Sequence, residues 1–162
     1  MSVDVVVNEG DLAEMVEQVW VSYLDPEGVS PLIPTGDDKQ SSEVHSSVSI
    51  TGSWSGHVVY ATSILAAKRA AAAFLAMEAD EVSAEDLSDV LGELANIVGG
   101  NVKAMLPPGC LLSLPQVVMA PDTATRYPAA ERISGLYGVW DGEPVSVSMW
   151  QSREGYREGE TS

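Results

Sequence analysis

The chain predicts an α+β domain, an antiparallel sheet with helices packed on it, in the order α-β-β-α-α-β-β-β. Three observations carry that expectation. Residues 43–51 alternate in the strand manner and are followed, after a short turn, by a second β-rich run at 57–64, the pattern of a hairpin. Residues 83–106 repeat their apolar side chains at helical spacing and end at Pro107, Pro108 and Gly109. Near the C-terminus, Asp141-Gly142 joins two further β-rich runs, a strong hairpin signal.

The elements follow in order. Residues 11–24 read as an amphipathic helix, with Leu12, Met15, Val19 and Tyr23 on one side and Asp11 able to cap its start. Residues 25–42 hold three prolines and two glycines and read as a loop. After the hairpin, residues 66–77 form an alanine-rich helix, and residues 78–82 connect it to the long helix. Ser83 is the expected cap there, and the acid three positions on, Asp86, makes a partial capping box. Three β-rich runs close the domain, at 110–119, 132–140 and 144–150. A single domain over 1–150, with its core in 43–150, and a polar frayed tail at 151–162 is the expected organisation.

Composition excludes several classes. Apolar residues make up 45% of the chain, enough for a packed core. Eight Lys and Arg stand against 24 Asp and Glu, a formal net charge of −16. That balance repels DNA, RNA and acidic membrane surfaces, because binding to phosphate rests on cationic contacts. Cys110 is the only cysteine, so an intrachain disulfide is impossible, and its apolar neighbours favour a small buried hydrophobe over a nucleophile. The N-terminal residues lack a basic region followed by a long apolar stretch, and no run is long enough to span a bilayer. The expectation is a cytoplasmic protein.

The long helix carries the chemistry. At about 100° per residue, Leu87, Leu91, Leu94, Val98, Val102 and Met105 fall within roughly 80° of one another, a stripe that can face a core. On the far side Asp89, Glu93, Asn96, Gly100 and Lys103 also lie within about 80°. A carboxylate, a carboxamide and a bare glycine thus share one exposed ridge, a shape that can enter another protein's active site.

Other chemistry is missing. His45 and His57 have no neighbouring Cys or second His, so zinc ligation is not expected and both read as sheet histidines. Gly99-Gly100 lies inside a helical pattern and follows no strand, unlike a phosphate-binding loop. There is no serine nucleophile elbow. Asp37-Asp38 reads as a solvated loop pair. Neither a metal site nor a cofactor of the chain's own is expected.

The pattern Asp89-xxx-Glu93-xx-Asn96, continuing through Gly100-Asn101-xx-Ala104, resembles the signature of the CheC/CheX/FliY chemotaxis phosphatases. In that family a proline-containing strand follows, for which Ser113-Leu114-Pro115 is the counterpart, though Pro115 comes early after Asn96. The motif occurs once, as in CheX, and the resemblance spans residues 43–150. The insert at 25–42 has no place in it.

The resemblance implies a fold and an activity. Family members dephosphorylate the response regulator CheY, which supplies the phosphoaspartate, a bound Mg²⁺ and a lysine. Asn96 would insert its carboxamide beside the phosphoryl group and hold a water in line, a positioning role for which a neutral side chain is suited. Glu93 would face the regulator's lysine. Asp89 would touch the same partner at the rim, with Lys103 further along the ridge. Gly100 would admit the partner's backbone, unless it serves helix packing instead. A homodimer is implied by the resemblance alone. The rival reading is a non-catalytic adaptor or sensor that binds a receiver or a flagellar-switch component. A receiver unconnected with motility is also compatible.

Overall fold

Residues 7–36, 42–119 and 129–153 are described by the structure, a computed structural model of the chain. Helix α1 (Glu9–Val19) runs into a π-helical turn at Trp20–Leu24. A two-residue strand β1 (Ile33–Pro34) precedes the hairpin of β2 (Val44–Gly52) and β3 (Gly56–Thr62). Helix α2 (Ile64–Leu75), a 3₁₀ turn at Ala79–Glu81 and helix α3 (Ala84–Met105) follow. Strands β4 (Cys110–Leu112), β5 (Gln116–Val118), β6 (Ala130–Trp140) and β7 (Glu143–Ser152) complete the order. The predicted α+β class and element order hold, with β1 added and the 110–119 run split.

All pairings in the seven-stranded sheet are antiparallel, in the order β1-β6-β7-β3-β2-β4, and β5 pairs with β2 further along the same edge. The turn between β6 and β7 uses Asp141 at φ 50° and Gly142 at φ 81°, two successive left-handed residues that suit a two-residue hairpin.

The helices share one side of the sheet. Leu12, Val16 and Trp20 from the N-terminal helix, Ala66 and Ala70 from α2, and Leu87, Leu91, Leu94, Val98 and Val102 from α3 join one cluster with Val44, Val48, Ile50, Val58, Tyr60, Val145, Val147 and Met149 of the strands. Five of the six stripe residues foreseen for α3 are buried, and Met105 is half-buried. The alternate residues of β2 and β3, among them Ser47, Ser49 and His57, point away from that cluster. Buried Cys110 places its thiol 3.2 Å from Ser53 Oγ, as expected of a packed rather than reactive residue.

Several local expectations are corrected. The cap of α1 is Asn8, whose Oδ1 accepts from the Asp11 amide at 2.8 Å, while the Asp11 side chain accepts from the Asn8 amide. Asp11 is therefore the third helical residue of a capping box. Ser83 and Asp86 form a complete box of the same kind. Tyr23 is exposed and stacks on Phe74, with ring centroids 5.6 Å apart, whereas Leu24 is buried. The cause is the π turn, closed by the Asp25 amide donating to the Trp20 carbonyl at 2.7 Å, which shifts the helical phase. Helix α2 begins earlier than foreseen because Ser63 caps it.

The segment 25–42 is not all loop. Ile33 and Pro34 pair with Val139 and Gly138, and Trp140 Nε1 donates to the Ser30 carbonyl at 2.7 Å. Pro115, which has no amide hydrogen, separates β4 from β5. Strand β7 reaches Ser152, so the tail starts later than residue 151. The pair Asp37-Asp38 and the tail beyond residue 153 lie outside the described residues.

Candidate functional site

Helix α3 has 22 residues and so spans about 33 Å. It crosses β2 and β3 with its inner stripe. Small residues let it approach closely: Gly92, Ala95 and Gly99 are all buried on the flank facing β2, β4 and β5. A Cβ on Gly99 would lie 3.2 Å from Leu112 Cδ1. From β2, buried Ser46 donates its hydroxyl to the Leu91 carbonyl at 2.7 Å, tying helix to strand. A rigid sheet therefore sets the orientation of α3, and with it the direction of the outer ridge.

That ridge points to solvent. Asp89, Glu93, Asn96 and Lys103 are exposed, and Gly100 between them is partly exposed. A Cβ on Gly100 would meet nothing within 4 Å. The glycine that helix packing requires is Gly99, and the alternative packing role for Gly100 is not supported. Among the described residues, none of the four ridge side chains has a hydrogen-bond or ion-pair partner.

Glu93 and Asn96 are neighbours one turn apart on the same side. The carboxamide can donate two hydrogens and accept through its oxygen, so it can hold a water and a phosphoryl oxygen together. Unlike a carboxylate, it carries no charge to repel that oxygen. Glu93 presents an acceptor for a cation. The arrangement contains no nucleophile activated by a base, and among the described residues no group of three His, Cys, Asp or Glu is placed to hold a metal ion.

One feature was missed in the sequence. Beside the ridge, between α3 and β5, lies an open groove of about 300 Å³ lined by Ser88, Asp89, Gly92, Glu93, Pro115 and Val117. Gly92 lies on its α3 side, where an added Cβ would come to 3.3 Å from Pro115 Cγ. Its signal in the sequence is a third helical glycine, seven residues before Gly99. Leu114, 87% exposed, stands next to Pro115. Among the described residues, no helix is long and apolar enough to cross a membrane.

Comparison with known proteins identifies a family and a fold. The sequence model of the family described as "Chemotaxis phosphatase CheX" matches residues 44–136, which include all of α3 and its ridge. No curated protein matches the chain. Among solved structures, the chemotaxis protein CheX from Vibrio vulnificus superposes with a TM-score of 0.73 at 16% identity, covering 90% of this chain and 95% of that one. The CheX–CheY–BeF3–Mg²⁺ complex from Borrelia burgdorferi gives 0.66 at 18% identity, covering 91% and 99%. FliY from Thermotoga maritima gives 0.52 at 14% identity, covering 94% and 92%. At such identities the structural likeness is one of fold.

Proposed function

This chain belongs to the CheX family of chemotaxis phosphatases, and from that premise we propose that it hydrolyses the phosphoaspartate of a CheY-like receiver protein. The observation that carries the reading is the exposure of Asn96 on α3, one turn from Glu93, with both side chains unengaged and facing solvent. The Borrelia complex, a CheX bound to CheY with BeF3 and Mg²⁺, supports a receiver as the partner.

In this reading α3 docks across the receiver's active site. Asn96 accepts a hydrogen bond from a water and donates one to the phosphoryl group, holding the water oxygen in line with the scissile bond. The water oxygen bonds to phosphorus as the P–O bond to the aspartate breaks. The bonding pair stays on the aspartate carboxylate, one proton of the water passes to solvent, and inorganic phosphate leaves as HPO4²⁻ carrying the other. Entropy and orientation supply most of the acceleration. Glu93 meets the receiver's active-site lysine and sets the register. Asp89 and Lys103 contact the partner at either end of the ridge, and Gly100 admits its backbone. Mg²⁺ belongs to the receiver in this scheme, and the chain brings no cofactor. A homodimer is part of the reading by family likeness, and light scattering at micromolar concentration checks it.

The experiment is direct. Receivers encoded in the same genome are phosphorylated with a small acyl phosphate, and loss of the phosphoryl group is followed with and without the protein. Asn96→Ala should stop the acceleration while retaining much of the binding, and Glu93→Ala should weaken binding as well. Receiver lifetimes that stay unchanged across the whole panel would instead favour a non-catalytic adaptor.

A further inference from the structure

We propose that the groove between α3 and β5 seats a second basic side chain of the docking receiver, a lysine or arginine separate from the one that meets Glu93. The inference rests on the phosphatase reading and adds a determinant of which receiver is accepted.

The groove has two unlike walls. Pro115 and Val117 form an apolar wall, and Ser88, Asp89 and Glu93 a polar one. A lysine or arginine matches both at once, because its methylene stem lies along apolar surface while its charged head stays at a polar edge. A neutral apolar side chain would bury beside an unpaired carboxylate, and an acidic one would be repelled.

The charges favour a cation from outside. Asp89 and Glu93, four residues apart on one helix side, repel each other. Among the described residues, no basic side chain lines the groove. Lys103 lies 14 residues beyond Asp89, about 21 Å along the helix and beyond the Debye length of about 8 Å at physiological salt. Both carboxylates lack an ion-pair partner among the described residues, and once Glu93 meets the receiver's active-site lysine, Asp89 is the charge left for a second cation.

The groove's shape is also consistent. Gly92 carries a helix-interior penalty that an alanine would remove, and the added methyl would press on Pro115 Cγ at 3.3 Å and reach Val117 Cγ2 of β5 at 3.8 Å, the two side chains of the apolar wall. The missing side chain keeps the groove deep. Leu114, the chain neighbour of Pro115, is exposed. The proposal also eases an electrostatic conflict. A protein of net charge −16 must dock onto an acidic phosphorylation site, so attraction has to come from cations outside that site.

Two measurements test it. The full chain is titrated with Nα-acetyl-lysine methylamide, and separately with the uncharged norleucine analogue, while the Gly92 amide and Val117 methyl resonances are followed. Saturable shifts are expected from the lysine probe, at least fivefold weaker from norleucine, and lost in Asp89→Asn. Equal response to both probes, or none to either, overturns the proposal. In turnover assays Asp89→Lys should raise KM at least tenfold, about 1.4 kcal/mol, and reversing one basic residue at the receiver's rim should recover it. An unchanged KM in Asp89→Lys also overturns it. The two readings fail separately: Asn96-dependent turnover with silent probes removes only the groove, whereas selective probe binding without turnover of any receiver removes only the phosphatase.

Discussion

A methyl group on Gly99 would lie 2.4 Å from Cγ2 of Val48, closer than packed atoms tolerate, while its neighbour Gly100 faces open space. The two adjacent glycines thus have opposite reasons to exist. Gly99→Ala should force α3 off β2 and cost about 1–3 kcal/mol by overpacking, against a gain of about 0.5–1 from helix preference. Gly100→Ala has no clash to offset that gain and should stabilise the fold by about 0.5–1 kcal/mol. If the receiver's backbone approaches at Gly100, the same substitution should weaken docking. Urea midpoints together with receiver affinity check both halves.

The contrast marks what could be read from residues alone. The alternation of Val44, Ser46, Val48 and Ile50 repeats every two positions, so strand and buried side were legible together. The ridge of α3 was legible for the same reason, since helical phase assigns its inward and outward sides. Which of Gly99 and Gly100 touches the sheet depends on how the helix is rolled on β2, and neighbouring residues do not encode that. The π turn at Trp20–Leu24 inserts one extra residue into the register, which moved burial from Tyr23 to Leu24. The pairing of Ile33 with Val139 joins positions far apart in the chain and leaves no local pattern. The groove needs Pro115 brought against Gly92, a tertiary contact of the same kind. The Asn8 cap was readable, because Asp11 three positions on completes its box.

Tyr60 offers a check on the core. It is buried, and that burial pushes its phenol far above the ordinary tyrosine range, with Thr62 beside it only partly opposing the shift. Above the unfolded value of about 10, the unfolded chain loses this proton while the folded one keeps it. The folded state then binds more protons, so stability falls as pH rises, by up to about 1.4 kcal/mol per pH unit. Tyr60→Phe should flatten that decline. Comparing urea midpoints at about pH 8 and about pH 11 in both proteins measures the difference.

Glu93 should act through charge. Glu93→Gln keeps the shape and a hydrogen-bonding group but removes the charge-assisted contact with the receiver's lysine, which is worth about 1.5–3 kcal/mol. KM should rise about tenfold or more. The gap between wild type and variant should narrow as salt is raised, because exposed charges are screened. An equal gap at low and high salt would assign Glu93 to shape rather than charge.

Asn96→Asp is the sharpest probe of the water-positioning role, since it replaces an amide nitrogen with an oxygen at nearly constant shape. Asn96 is exposed on α3, so the fold should not respond. The carboxylate can still accept from the water, but it no longer donates to the phosphoryl oxygen and now repels it. If the side chain merely helped α3 to sit on the receiver, Asp and Ala would lose similar affinity and the bound complex would still turn over. If the carboxamide orients the water, turnover at saturating protein should fall on the order of 10²-fold or more. Acidification should not restore it, because a protonated carboxyl also presents a different donor geometry from the amide. Phosphoryl-group lifetime measured at several excess concentrations of the variant separates the two cases, since lost affinity is recovered by concentration and lost positioning is not.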